Sequence, residues 1–341
     1  MKSIKLRINK PEDVSLVEFD INPDEIKACE CLIETEVSLI SAGTELSRAY
    51  GLKKGAKYPV FPGYCSVGRI LKCGSDIKDV KEGDRVLFSA PHGSLHIFDR
   101  VKSDGGVLYK LNDKTESQDG AFLMMCAIAM NGILPADVKL GDRAVVIGMG
   151  TLGMITAILY QEMGLEVIGV EPSKNRALKA REAGIKNVVD CDIDKQYEEI
   201  MKLLDNKGAD IVVDASGKSM AIELGIKVAA LHGQVLLLGS PREDYVCNVT
   251  PLLNAIHMKM LNVIGAMNRR FSYYESEGTR LSITRNLKYL EGLLNKKIIN
   301  TDHFISHVIK PDEKEILKAY EGLMYHKDEY TGVIIDWRKD K

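Results

Sequence analysis

The chain has 341 residues, 45% of them hydrophobic and 28% charged, with 46 Lys and Arg against 48 Asp and Glu for a formal net charge of −2. That length suits about two domains. The charge balance argues against nucleic acid or an anionic membrane surface as a main partner. With no run of about 18 apolar residues, no transmembrane helix is expected.

The first residues carry no apolar stretch of signal-peptide length. Seven scattered cysteines (Cys29, Cys31, Cys65, Cys73, Cys126, Cys191 and Cys247) include no Cys-x-x-Cys pair. They read as thiols of a reducing compartment, so a cytoplasmic protein is expected.

Residues 1 to 125 read as short strands broken by turns, clearest at Lys5 to Ile8, Cys31 to Leu39, Ser66 to Leu71, Arg85 to Phe88 and His96 to Val101. This half is expected to be all-β, a partly open barrel. From residue 126 strands alternate with helices. Ala144 to Ile147, Val167 to Val170, Val188-Val189, Ile211 to Val213, Val235 to Leu238 and Val263-Ile264 are the strands of a doubly wound, parallel, six-stranded sheet. A helix is expected from Leu152 to Met163, and another that Ser173 caps. From residue 268 to 341, two amphipathic helices (Ile283, Leu287, Leu290, Leu294; Ile316, Ala319, Tyr320, Leu323) flank Phe304 to Ile309, and Val333 to Ile335 is a last strand. This segment is expected to fold back onto residues 1–125, leaving 126–267 as the second domain.

Gly148-Met149-Gly150-Thr151-Leu152-Gly153 is a G-x-G-x-x-G motif that follows a strand and opens a helix. Gly148 permits the tight turn, Gly150 lets backbone approach a pyrophosphate, and Gly153 allows close packing. The first N–H groups of the helix, with Thr151 and Leu152, face the phosphates. Glu171 ends the second strand, where a carboxylate accepts from ribose hydroxyls and repels a 2′-phosphate, favouring NAD over NADP. Lys174 and Arg176 lie just beyond and can pair with a phosphate instead; Arg176 can also stack on adenine. Ser216, Gly239, Ser240 and Gly265 stand at carboxyl ends of strands, the edge at which such sheets bind ligands, or are ordinary turn residues.

The chain resembles the medium-chain dehydrogenase/reductase superfamily. The matching segments are Val37 to Glu45, Phe61-Pro62-Gly63-Tyr64-Cys65-Ser66-Val67-Gly68, Gly83-Asp84-Arg85-Val86, Gly141 to Gly150, Val213-Asp214-Ala215-Ser216-Gly217 and Leu237 to Pro241. The resemblance implies a GroES-like catalytic domain, a Rossmann domain, an active site in the cleft between them, and a homodimer or homotetramer formed through the sheet edge of the cofactor domain. Zinc-bearing members carry a Cys before Gly-Thr-Asp and a Gly-His-Glu. Here Ser41-Ala42 precede Gly43-Thr44-Glu45, and Gly63-Tyr64-Cys65 replaces the second motif, so no zinc is expected. Cys65, Cys126 and His92 or His96 are the remaining candidate donors, in a spacing that matches no familiar ligand pattern. Gly83 to Val101 holds no cysteine, so the family's structural zinc lobe is not expected either.

Without zinc, a side chain must stabilise charge on the reacting oxygen. Tyr64, in a ligand's place, either donates to that oxygen or merely fills the space. Thr44 matches the relay hydroxyl of zinc-bearing relatives, and Glu45 and Ser41 orient or extend the chain. Asn268-Arg269-Arg270 is either a clamp for a substrate anion or a solvated turn. The remaining histidines, His232, His257, His303, His307 and His326, read as structural, His257 by packing. The expected function is zinc-independent hydride transfer between NAD(H) and a small alcohol, polyol or sugar-like alcohol/carbonyl pair. The alternatives are an NADPH-dependent quinone or enone reductase and a non-catalytic NAD(H)-binding redox sensor.

Overall fold

Leu6 and Ile8, two residues apart, point to one side of the first strand and are fully buried, the period that a half-covered strand requires. The structure, a computed structural model, describes residues 1–52, 55–102, 106–241, 244–267, 271–273 and 281–339. The chain divides into two units, Met1–Met125 with Phe271–Lys341, and Cys126–Arg270.

The first unit begins with β1 (Lys2–Lys10), β2 (Asp13–Asp20), β3 (Glu30–Leu39), α1 (Ala42–Ala49), β4 (Ser66–Cys73), β5 (Arg85–Phe88), β6 (Leu95–Asp99) and β7 (Leu108–Lys110), then α2 (Ser117–Met130). In the second unit follow β8 (Arg143–Ile147), α3 (Thr151–Glu162), β9 (Glu166–Val170), α4 (Lys174–Glu182), β10 (Asn187–Val189), α5 (Gln196–Leu203), β11 (Ala209–Asp214), α6 (Ser219–Val228), β12 (Ala229–Leu237), α7 (Thr250–Lys259) and β13 (Asn262–Gly265). The first unit closes with α8 (Ile283–Asn295), β14 (Ile305–Ile309), α9 (Glu313–Tyr325) and β15 (Gly332–Asp336).

In the first unit β1 and β2 form a hairpin, and seven strands form one sheet, β14-β15-β3-β4-β5-β7, with β6 paired to β3. Val333, Ile334 and Ile335 in β15 are fully buried between β14 and β3, which ties the end of the chain to its first hundred residues. This half is not all-β: α1 and the start of α2 lie within it. The eight residues of α1 are too few to show a period in sequence. The helix forms because Leu46 and Ala49, one turn apart, enter a core that also holds Leu6, Ile8, Ile316, Tyr320 and Trp337.

The second unit is an all-parallel sheet of six strands in the order β10-β9-β8-β11-β12-β13. Continuous apolar runs such as Ala144 to Ile147 are buried on both faces, as covered parallel strands are. The order reverses between β8 and β11, the switch point at which doubly wound sheets bind ligands. No helix among the described residues is long and apolar enough to cross a membrane.

Candidate active site

At the end of β8 the chain turns sharply into α3. Gly148 sits at φ +96°, a left-handed conformation that favours glycine. A Cβ at Gly153 would stand 1.7 Å from the Gly148 carbonyl oxygen, so the turn and the helix touch through their backbones. At Gly150, the N-cap of α3, a Cβ would meet nothing within 4 Å. Gly150 is therefore not required by packing and leaves its backbone open to approach. The first N–H groups of α3, including those of Thr151 and Leu152, have no partner inside the helix. The residues present fit a dinucleotide pyrophosphate.

Glu171 follows β9 and is nearly fully buried. Its carboxylate accepts the Met149 N–H at 3.1 Å and the Ser173 N–H at 3.1 Å, and it pairs with the Arg176 guanidinium. Arg176 is thus held on Glu171. Lys174 pairs instead with Asp190 at 3.1 Å. Beyond β11, Asp214 accepts from the N–H and hydroxyl of Ser216 (2.9 and 2.7 Å) and from the Gly217 N–H. A Cβ on Gly239 would come within 2.2 Å of the Gly217 N. Ser216, Gly239 and Ser240 therefore belong to two loops locked together beyond β11 and β12. Gly265, at the end of β13, has open space around its Cα.

In the first unit the structure brings Ser41, Thr44, Glu45 and Tyr64 together. Ser41 caps α1, and its backbone N–H donates to Glu45 Oε1 at 2.6 Å, the side chain reaching back over the first turn. Ser41 Oγ lies 2.5 Å from the Tyr64 hydroxyl. Burial, then the neighbouring Cys65 thiol, hold the Tyr64 phenol well above its ordinary range, while the Ser41 and Thr44 hydroxyls act the other way. The group is a neutral donor near neutral pH. Thr44 is exposed and connects the cluster to solvent.

Glu45 is buried beside the apolar core, a costly place for a carboxylate unless donors surround it. Its Oε2 lies 2.9 Å from His92 Nε2 and accepts from the Tyr320 hydroxyl at 3.0 Å. His92, Tyr320, Ser38 and Trp337 complete the cluster and were not marked by the sequence as its members. His92 entered only as a possible metal donor, Tyr320 only as part of a helix face, Ser38 only within a matching segment, and Trp337 not at all. Only the folded chain brings them together: α9 packs on α1, β15 pairs with β3, and the loop between β5 and β6 holds His92 against Leu6 and Pro62.

The resemblance puts Tyr64 and the Ser41-Ala42 pair where zinc-bearing members carry ligands, and among the described residues no group of three His, Cys, Asp or Glu is arranged to hold a metal ion. Cys65 and Cys126 are both fully buried. His96 is buried against the Gly93 carbonyl, and burial with the nearby Lys5 charge pushes it down to about 3. His257 is exposed on α7 rather than packed. Asn268-Arg269-Arg270 lies outside the described residues.

Residues 151–281 match the family of zinc-binding dehydrogenases. Over 331 residues the chain is 25% identical to an uncharacterized zinc-type alcohol dehydrogenase-like protein of Haemophilus influenzae, covering 89% of this chain and 90% of that one. This is an alcohol-dehydrogenase-like oxidoreductase. It is also 31% identical over 176 residues to D-guloside 3-dehydrogenase of Escherichia coli, 50% of this chain, and spans 48% of that protein's length. In fold the oxidoreductase is similar to galactitol-1-phosphate dehydrogenase of Escherichia coli, with a TM-score of 0.82 at 17% identity over 98% of this chain and 99% of that one. The zinc-binding family match covers 151–281, which holds none of Ser41, Ala42, Tyr64, Cys65 or Cys126.

Proposed function

We propose that this oxidoreductase transfers hydride between NAD(H) and a small alcohol, polyol or sugar-like alcohol/carbonyl pair without zinc, with Tyr64 as the donor to the reacting oxygen. The observation that carries this reading is the neutral, half-buried Tyr64 phenol, in a zinc ligand's place and hydrogen-bonded to Ser41. D-guloside 3-dehydrogenase and galactitol-1-phosphate dehydrogenase, by their names, act on sugar or polyol substrates, which supports the substrate class.

Bound NAD(H) supplies or accepts the hydride. Gly148, Gly150, Thr151, Leu152 and Gly153 hold its pyrophosphate, and Glu171 accepts from its ribose, with Arg176 anchored alongside. Ser216, Gly239, Ser240 and Gly265 line the carboxyl ends of β11 to β13 on the nicotinamide side. In the reduction direction Tyr64 donates to the carbonyl oxygen as charge builds there. An alkoxide is a far stronger base than a phenolate, so the proton moves even from a phenol held above its usual range. Thr44, exposed beside it, passes a proton back from solvent, and Ser41 with Glu45 orients the phenol.

We assign the catalytic role to the unit containing Tyr64 and the cofactor role to the unit containing Gly148. We further propose a homodimer through β13, the outermost strand of its sheet, since Val249, Leu253, Met258, Met260, Val263 and Met267 are exposed along α7 and β13. A cytoplasmic setting accords with seven cysteines of which none is joined in a disulfide.

Two measurements on purified protein test the mechanism. Elemental analysis is expected to find zinc well below one atom per chain. Tyr64→Phe is expected to lower kcat by about 10²-fold on whichever of a panel of alcohols, polyols and aldoses is turned over with NAD(H). One tightly held zinc per chain, or unchanged turnover in the variant, overturns it.

A further inference from the structure

We propose that His92 is the positioning residue of this site. It grips Glu45 with its side chain and the Tyr64 turn with its backbone, and it is held as the Nε2–H tautomer to do so. The inference rests on the reading of Tyr64 as the donor.

His92 is fully buried and all four of its polar atoms are engaged. Its N–H donates to the Pro62 carbonyl at 2.7 Å, and its own carbonyl accepts the Leu6 N–H at 3.0 Å. Nδ1 lies 2.7 Å from Ser38 Oγ and Nε2 lies 2.9 Å from Glu45 Oε2. Ser38 Oγ also accepts the Trp337 indole N–H at 2.9 Å. Glu45 as a carboxylate can only accept, so Nε2 carries the proton toward it. In the Nε2–H tautomer Nδ1 is the acceptor and takes the Ser38 hydrogen, while Ser38 Oγ accepts from the Trp337 indole on a lone pair. The chain runs one way, from Trp337 through Ser38 and His92 to Glu45.

The consequence for Tyr64 comes from two sides. Three donors converge on Glu45, from Ser41 (2.6 Å), His92 (2.9 Å) and Tyr320 (3.0 Å), and they stop its carboxylate from turning. That fixes Ser41, whose Oγ meets the Tyr64 hydroxyl at 2.5 Å. On the other side Gly63, at φ +108°, lies so close to His92 that a Cβ there would stand 2.6 Å from the His92 backbone N. One residue thus sets the position of the phenol and of the hydroxyl it bonds.

The test begins with the intact protein and a [15N]histidine spectrum. A signal of the Nε2–H tautomer for His92 is expected; an Nδ1–H or doubly protonated ring overturns the proposal. Two variants follow, read by [13Cζ]tyrosine NMR, with the Tyr64 resonance assigned by its loss in Tyr64→Phe. His92→Asn keeps an amide within reach of Ser38 but is too short for Glu45, and is expected to shift that resonance. His92→Gln places an amide N–H where Nε2–H stood, and is expected to return it toward its original position. NADH affinity is expected to stay unchanged in both. A Tyr64 resonance unmoved by His92→Asn overturns the positioning role even if Tyr64→Phe abolishes turnover. Unchanged turnover in Tyr64→Phe removes the donor reading alone, because the spectra still report what His92 holds.

Discussion

Glu171 is almost completely buried, and its carboxylate holds two backbone N–H groups and Arg176. Its charge keeps the guanidinium turned inward and opposes a second anion. Glu171→Gln keeps one accepting oxygen and removes that charge, which frees Arg176 for a 2′-phosphate. The ratio of NADPH to NADH affinity is expected to rise by about tenfold, or about 1.4 kcal/mol. Fluorescence titration with both cofactors checks this, and an unchanged ratio means that Glu171 does not set the preference. The acidic residue at the end of the second strand was readable from spacing alone. Its pairing with Arg176 was not, because the sequence equally allowed Arg176 to meet a phosphate or stack on adenine.

The turn from β8 into α3 contains glycines of two kinds. Gly153 is required by the fold, since its Cβ would collide with the Gly148 carbonyl, whereas Gly150 has open space. Gly153→Ala is therefore expected to destabilise the protein by about 3 kcal/mol and lower Tm. Gly150→Ala is expected to leave Tm unchanged yet weaken NADH binding, because the added methyl occupies the approach to the backbone. Thermal melts and NADH titrations of both variants separate the two roles; equal melting temperatures would show that the tight contact relaxes freely. The motif could be recognised in sequence because a strand, a glycine turn and a helix follow one another locally. Helix α1 was missed for the opposite reason. Its burial comes from α9 and β1, far away in the chain, and eight residues bearing Gly43 and Thr44 show little intrinsic helix signal.

At the scale of the whole molecule, β13 is the outermost strand of its sheet. A sheet edge with Val263 exposed beside it, next to Met260 and Met267, exposes backbone groups and apolar surface together. Light scattering is expected to show two chains or a multiple of two, and Val263→Lys is expected to shift the protein toward single chains by placing a charge in that edge. A native protein that runs as one chain would refute the proposed interface.

The fold class and the glycine turn from β8 into α3 were determined by the sequence itself, because strand and helix periods and the glycine turn are local properties. The amphipathic pattern that precedes a final apolar strand leads to the expectation that residues 268–341 fold back onto residues 1–125, and β15 pairs with β3. The surroundings of Glu45 were decided only by the tertiary structure. Tyr320 and His92 meet Glu45 directly, and Ser38 with Trp337 backs His92; α9 on α1, the β5–β6 loop and the pairing of β3 with β15 bring these separate stretches of chain together. A buried carboxylate persists only where donors converge on it, and such convergence is a property of the folded chain rather than of residue spacing.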